Sequence, residues 1–125
     1  ALSNVADELE TSDDHWFREV QDFIVRSNSL AGVLRGMGEH PASADVQAYS
    51  CGALRNLAIN NAEHRVAIVV AGGIAAVLRG MGEHTASADV QAEGCGALRN
   101  LAYNNEHQVA IVVAGGIAAV LRGMG

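Results

Sequence analysis

The chain contains no lysine, one proline, two cysteines and few aromatic residues: one Trp, two Tyr and two Phe in 125 residues. Eight arginines against fourteen acids give a formal charge of −6, the wrong sign for a surface that grips nucleic-acid phosphates. Two cysteines are far too few for a disulfide-stapled secreted domain. The longest charge-free apolar run, Val66 to Leu78, has 13 residues and Gly72-Gly73 at its middle. A bilayer-spanning helix needs about 20 residues, so no membrane segment is expected. No basic-then-apolar leader opens the chain, and it starts at Ala1 without Met, as a fragment or a processed product would. With so few aromatics, the apolar half of the sequence is Ala, Val, Leu and Ile, which excludes a disordered tail. The length suits one domain.

Charge is unevenly placed. Residues 1–22 hold seven acids (Asp7, Glu8, Glu10, Asp13, Asp14, Glu19, Asp22) and one base, Arg18, for a net −6; residues 23–125 hold seven acids and seven Arg and are neutral. The leader reads as a solvated flank or a docking arm. Trp16 and Phe17 within it are expected to cap the first apolar layer.

Self-similarity dominates what remains. Residues 36–59 (GMGEHPASADVQAYSCGALRNLAI) and 80–103 (GMGEHTASADVQAEGCGALRNLAY) differ at four positions: Pro41/Thr85, Tyr49/Glu93, Ser50/Gly94 and Ile59/Tyr103. Residues 63–82 match 106–125 except for Arg65/Gln108, and Ala62 has no counterpart. A diverged earlier copy shows in Leu30 to His40. A period of 43–44 residues is the length of a two- or three-helix repeat unit.

Turn signals divide each unit into three helices. Asn60-Asn61 and Asn104-Asn105 offer N-cap oxygens ahead of Glu63 and Glu106 in the first turn. The first helix is predicted over Glu63 to Ala71 and is broken by Gly72-Gly73. A second runs from Ile74 to Met81 with Ile74, Val77, Leu78 and Met81 on one face, followed by a loop at Gly82 to Thr85. Ser43 and Ser87 cap a longer third helix ending at the Asn pair, with Val46, Ala53, Leu54 and Leu57 on its buried face. Cys51 and Cys95 are expected to be free, buried packing residues in a reducing compartment, the cytoplasm or nucleus.

This order of helix, Gly-Gly break, helix, loop and long helix ending in ALRNLA resembles the armadillo repeat from about residue 13 onward. VAIVVAGGIAAVLRGM is similar to that family's helix 1, kink and helix 2, and ADVQAYSCGALRNLA to its helix 3; ALSNVA at Ala1 to Ala6 resembles the end of a preceding helix 3. The resemblance implies an all-α, right-handed solenoid. Residues 1–27 would form a helical cap and 28–61 a first repeat of helices 2 and 3. Residues 62–104 would make a full repeat, and 105–125 helices 1 and 2 of a third. It further implies a concave helix-3 groove for extended peptides, in which Asn56 and Asn100, and Asn4 before them, hold a ligand's backbone. Where importin-alpha carries Trp, this chain has Gly52 and Gly96, so grips for lysine stems are missing.

From spacing alone, Ala48, Gly52 and Asn56 share a stripe flanked by Tyr49 and Arg55; its counterpart is Ala92, Gly96 and Asn100 with Glu93 and Arg99. Two readings stand side by side. The asparagines and arginines contact a ligand, Arg55 and Arg99 taking acidic groups, or they bond neighbouring repeats while the glycines permit close packing. The recurrent Glu-His pairs lack metal-site spacing, GMG is no phosphate loop, and no nucleophile has a base beside it, so no metal, cofactor or enzyme activity is expected. Gly52, Gly94 and Gly96 within a helix each cost about 1 kcal/mol relative to Ala, which favours natural duplication over a consensus design. Ile117, Val120 and Leu121 would lack a covering helix and could self-associate. The expectation is a non-enzymatic scaffold binding a protein or extended peptide. The alternative is a structural array associating end to end without a groove ligand.

Overall fold

The computed structural model of the chain describes residues 29–124. The expected N-terminal cap, with Trp16, Phe17 and Asn4, lies outside them. The described residues form helices and no strand, as expected for the all-α class. In order these are α1 (Ser29–Glu39), α2 (Ala44–Leu57), α3 (Ala62–Val70), α4 (Gly73–Glu83), α5 (Ala88–Leu101), α6 (Asn105–Val113) and α7 (Gly116–Met124).

Local chemistry sets the boundaries. The hydroxyls of Ser43 and Ser87 accept from the backbone N–H of Val46 and Val90, both at 3.2 Å, and so cap α2 and α5. Asp45 and Asp89 lie in the first turns of these helices and Arg55 and Arg99 in the last, each sign opposing the helix dipole. Asn61 caps α3 by accepting from His64 N–H at 3.0 Å. Asn104, its expected counterpart, makes no side-chain cap bond; its oxygen is taken by Arg65 instead. α4 continues to Glu83, beyond the expected Met81, and shortens the expected loop.

The Gly-Gly break uses its two glycines differently. Gly72 and Gly115 adopt φ of 93° and 97°, a left-handed conformation costly for other residues. Gly73 and Gly116 are needed for space, because a Cβ there would strike the side chains of Ile68 and Ile111 and lie 2.8 Å from their carbonyl oxygens. The result is a 70° bend between α3 and α4.

α2 and α5, the long helices of successive copies, lie against each other, and α5 also packs on α4 and α7. Leu54, Ile68, Met81, Leu101, Val77, Val90 and Cys51 are the largest fully buried side chains. On α2, Leu54 and Leu57 are buried as expected but Val46 and Ala53 only half-buried, whereas their counterparts Val90 and Ala97 on α5 are fully buried. Cys95 is likewise half-buried, not buried as its counterpart Cys51 is.

A polar lock that the sequence did not flag repeats in both copies. The buried Gln47 amide donates to the carbonyls of Met37 and His40, both at 3.0 Å. Gln91 does the same to Met81 and His84 at 2.9 Å. These carbonyls lie at the end of the preceding helix, where helical partners run out. Close approach of the next unit completes the lock: a Cβ on Gly80 or Gly123 would come within 2.9 or 2.5 Å of the Gln47 or Gln91 oxygen. That accounts for the first glycine of the GMG triplets at 80–82 and 123–125, whereas a Cβ on Gly36 would meet nothing.

Candidate peptide groove on the α2–α5 face

Side by side, α2 and α5 bring the predicted stripe residues onto one face. Ala48, Tyr49, Gly52, Ala53, Arg55, Asn56, Asp89 and Glu93 line an open cleft of about 540 Å³. Arg55 and Asn56 continue into a second cleft of about 340 Å³, completed by Ile59, Asn60, Arg99, Asn100 and Tyr103. Of the described residues expected there, Ala92 and Gly96 line neither cleft. Ile59, Asn60, Asp89 and Tyr103 were missed, although Ile59/Tyr103 is one of the few differences between the copies, and Ala53, expected on the buried face, lines the larger cleft.

Electrostatically the clefts differ. The larger carries two carboxylates and one guanidinium; the smaller carries two guanidiniums, three asparagines and a phenol, with no carboxylate. Between them runs a cross-repeat ion pair, Arg55 Nη1 to Glu93 Oε2 at 3.3 Å. Both side chains are about one-third exposed, so the pair itself contributes about 1 kcal/mol or less. The glycines make room for it. A Cβ on Gly52 would sit 2.9 Å from Glu93 Oε2, and one on Gly96 would sit 2.5 Å from Arg55 Cδ.

The asparagines are placed unequally. Asn100 is 5% exposed and its Nδ2 donates to the Arg55 carbonyl at 2.9 Å, tying α5 to α2. Asn56 is exposed. Tyr49 is 80% and Tyr103 72% exposed, and the Arg65 guanidinium lies 5.7 Å from the Tyr103 ring centroid, a cation–π distance. Arg65 also donates from Nε to Asn104 Oδ1 at 2.7 Å and from Nη1 to Ala58 O at 2.9 Å. Its counterpart Gln108 reproduces only the contact to the helix end, Ala102 O, at 3.0 Å.

Of the five substitutions between the copies, those at 93, 103 and 65 place side chains in contacts that join α2, α3 and α5. Glu93 pairs with Arg55, and Tyr103 stacks beneath Arg65. Pro41 offers its carbonyl to the His84 Nε2–H at 2.7 Å. Gly94 leaves room for Met81, whose Cγ and Sδ would lie 2.6 Å from a Cβ there.

Neither thiol is poised for chemistry. Burial, and then the neighbouring Glu93 carboxylate, push Cys51 up to about 12; burial also raises Cys95. A thiol held protonated is a poor nucleophile. Among the described residues no three His, Cys, Asp or Glu side chains gather into a metal-holding group, and no single helix is long and apolar enough to cross a membrane. Family models, curated proteins and solved structures yield no match to the chain.

Proposed function

We propose that the chain is an armadillo-like α-solenoid that acts as a non-enzymatic scaffold and binds an extended peptide along the α2–α5 face, with acidic residues at the Arg55–Arg99 end. The observation that carries this reading is the continuity of the two clefts through Arg55 and Asn56. A strand laid along them passes exposed amides, which can donate to and accept from peptide groups. It then meets Arg99, which is exposed, beside Arg55. Guanidiniums bind carboxylates through paired, charge-assisted hydrogen bonds. The Asp89 and Glu93 carboxylates at the other end favour a neutral or basic ligand segment there.

The test titrates the chain with a labelled peptide that alternates Glu and Ser in one half and Gly and Ser in the other, read by anisotropy and by amide chemical shifts. Binding is expected to weaken with salt and to shift the amides of Asn56, Arg99 and Tyr103. Arg99→Ala should cost about tenfold or more in affinity, the worth of one charge-assisted hydrogen bond. Asn56→Ala is the companion variant, because Asn100→Ala would also break the tie to α2. Absence of binding, or binding indifferent to both variants, refutes the groove.

A further inference from the structure

We infer that Glu93 is a specificity-determining residue of the α2–α5 groove. It holds Arg55 away from the ligand, so that a bound peptide places an acidic residue at Arg99 and an uncharged or basic one beside Glu93. This inference rests on the groove reading above and narrows the ligand that the groove accepts.

Glu93 has a seat made for it. Its counterpart on α2 is Tyr49, and both carboxylates of the larger cleft, Asp89 and Glu93, come from α5. Gly52 clears the space for the Glu93 carboxylate and Gly96 the space for the Arg55 stem, since a Cβ on either would lie 2.9 or 2.5 Å from them. The carboxylate is therefore a fixed part of the groove wall.

The two arginines of the groove are placed differently by it. Arg55 Nη1 lies 3.3 Å from Glu93 Oε2, and that oxygen is buried and accepts no hydrogen bond among the described residues. A ligand carboxylate that drew Arg55 away would leave Oε2 as a buried charge without compensation, which is strongly disfavoured. Arg55 thus stays with Glu93 and its charge is largely cancelled. Arg99 is exposed, and the smaller cleft that it lines holds no carboxylate. An acidic ligand group is taken there through paired, charge-assisted hydrogen bonds. A second acidic group that reaches Glu93 meets a like charge, and repulsion of this kind selects among ligands.

The same placement sets a spacing. Glu93 and Arg99 are six positions apart on α5, which is about 9 Å along a helix axis. An extended strand advances about 3.3 Å per residue, so the two sites are about three ligand residues apart. A peptide with an acidic residue at every third position cannot occupy Arg99 and keep its full length in the groove without facing Glu93.

The probes are two labelled Gly-Ser peptides of equal length, one with a single central Glu and one with Glu at every third residue. Each is titrated by anisotropy with the parent chain, Glu93→Gln and the double variant Arg55→Gln/Glu93→Gln. The parent should bind the single-Glu peptide at least about fivefold more tightly, although the other carries more charge. Glu93→Gln should reverse that order, because the freed Arg55 takes a second carboxylate. The reversal should vanish in the double variant. The ion pair adds little stability, so all three chains should give the same helical circular dichroism. A parent that binds the many-acid peptide as tightly as the single-Glu one overturns the inference. So does a Glu93→Gln chain that keeps the parent's preference, or a reversal that survives in the double variant. In those cases the groove still stands, provided that Arg99→Ala weakens the single-Glu peptide. If the single-Glu peptide does not bind the parent, or binds regardless of Arg99, the groove reading fails and this inference fails with it.

Discussion

Replacing Gln91 by Ala removes one amide and unmakes two hydrogen bonds of 2.9 Å, to Met81 O and His84 O. The two losses differ in weight. The Met81 bond is buried, so its carbonyl is left without water as a substitute, at a cost of about 1–3 kcal/mol. The His84 bond is only partly buried; water can take over there, and the cost is nearer the net worth of about 1 kcal/mol. The missing side chain also leaves a void beside Gly123, while the gain in helix propensity from Gln to Ala is a few tenths of a kcal/mol. The balance is a loss of about 2–4 kcal/mol, large for a domain of this size. Urea denaturation followed by circular dichroism should show the midpoint falling by about 1–2 M, given slopes of about 1–3 kcal/mol per M. Gln91→Glu separates donor loss from volume loss. A carboxylate facing two carbonyls has no proton to give at neutral pH, so this variant should be no more stable than the alanine. It should recover on acidification, as the protonated form regains one donor. A midpoint shift below about 0.5 M for Gln91→Ala would mean that the lock contributes little and that the reasoning fails.

Other outcomes follow from the same contacts. Iodoacetamide at pH 8 should label Cys95 well before Cys51, since Cys51 is buried and its pKa pushed up to about 12; peptide mapping reads the order, and faster labelling of Cys51 would refute it. Because that thiol is raised from 9.0 to about 12, its neutral form stabilises the fold fully below pH 9, and this contribution is lost as pH climbs toward 12. An alkaline titration should show stability falling over that window, less so in Cys51→Ala once its own packing loss is subtracted. Gly94→Ala and Gly96→Ala should differ. Both gain about 1 kcal/mol of helix propensity, but Gly94→Ala drives a Cβ into buried Met81 and is expected to be net destabilising by about 1–2 kcal/mol. Gly96→Ala displaces only the flexible, partly exposed Arg55 and should be neutral or stabilising; matched melting temperatures for the pair would contradict the packing. Arg65→Gln, which makes that position a copy of its counterpart, should cost about 1–2 kcal/mol through the lost Asn104 bond and the exposed Tyr103 ring.

Helix order and limits were legible because caps, breakers and period agree. Ser43, Ser87 and Asn61 each cap the helix expected of them, and Gly72 and Gly115 break the chain where a left-handed residue was required. The stripe was legible too, since helical spacing alone brings Gly52, Asn56, Arg55 and Tyr49 together. What periodicity could not supply was the fate of polar atoms. Gln47 and Gln91 look like surface residues in the sequence, yet lie buried because the end of the preceding helix presents carbonyls that need a donor. Asn100 satisfies the backbone of the adjacent helix for the same reason, and Asn104 loses its capping role to a guanidinium from the preceding copy. Each of these depends on the spacing between layers, a quantity that no single-strand pattern contains.

Near-identity of the copies raises a problem of register that the side chains differing at positions 93, 103 and 65 address. If every unit were the same, α5 could pair with its neighbours displaced by one unit at little cost, because each face would find an equivalent partner. Glu93 facing Arg55 and Tyr103 beneath Arg65 give each layer a feature matched to one neighbour. Specificity is a difference between right and wrong pairings and gains most from contacts that only one pairing offers. Making α5 a copy of α2 through Glu93→Tyr with Gly94→Ser should therefore do more than lower the melting temperature. Ser at 94 meets Met81 as Ala would, and Tyr at 93 cannot pair with Arg55, for a joint cost of about 2–3 kcal/mol. The distinguishing readout is heterogeneity: amide resonances of α5 should double as displaced pairings become populated. A variant that is destabilised but still gives one set of resonances would show that burial alone fixes the register and that these differences serve some other end.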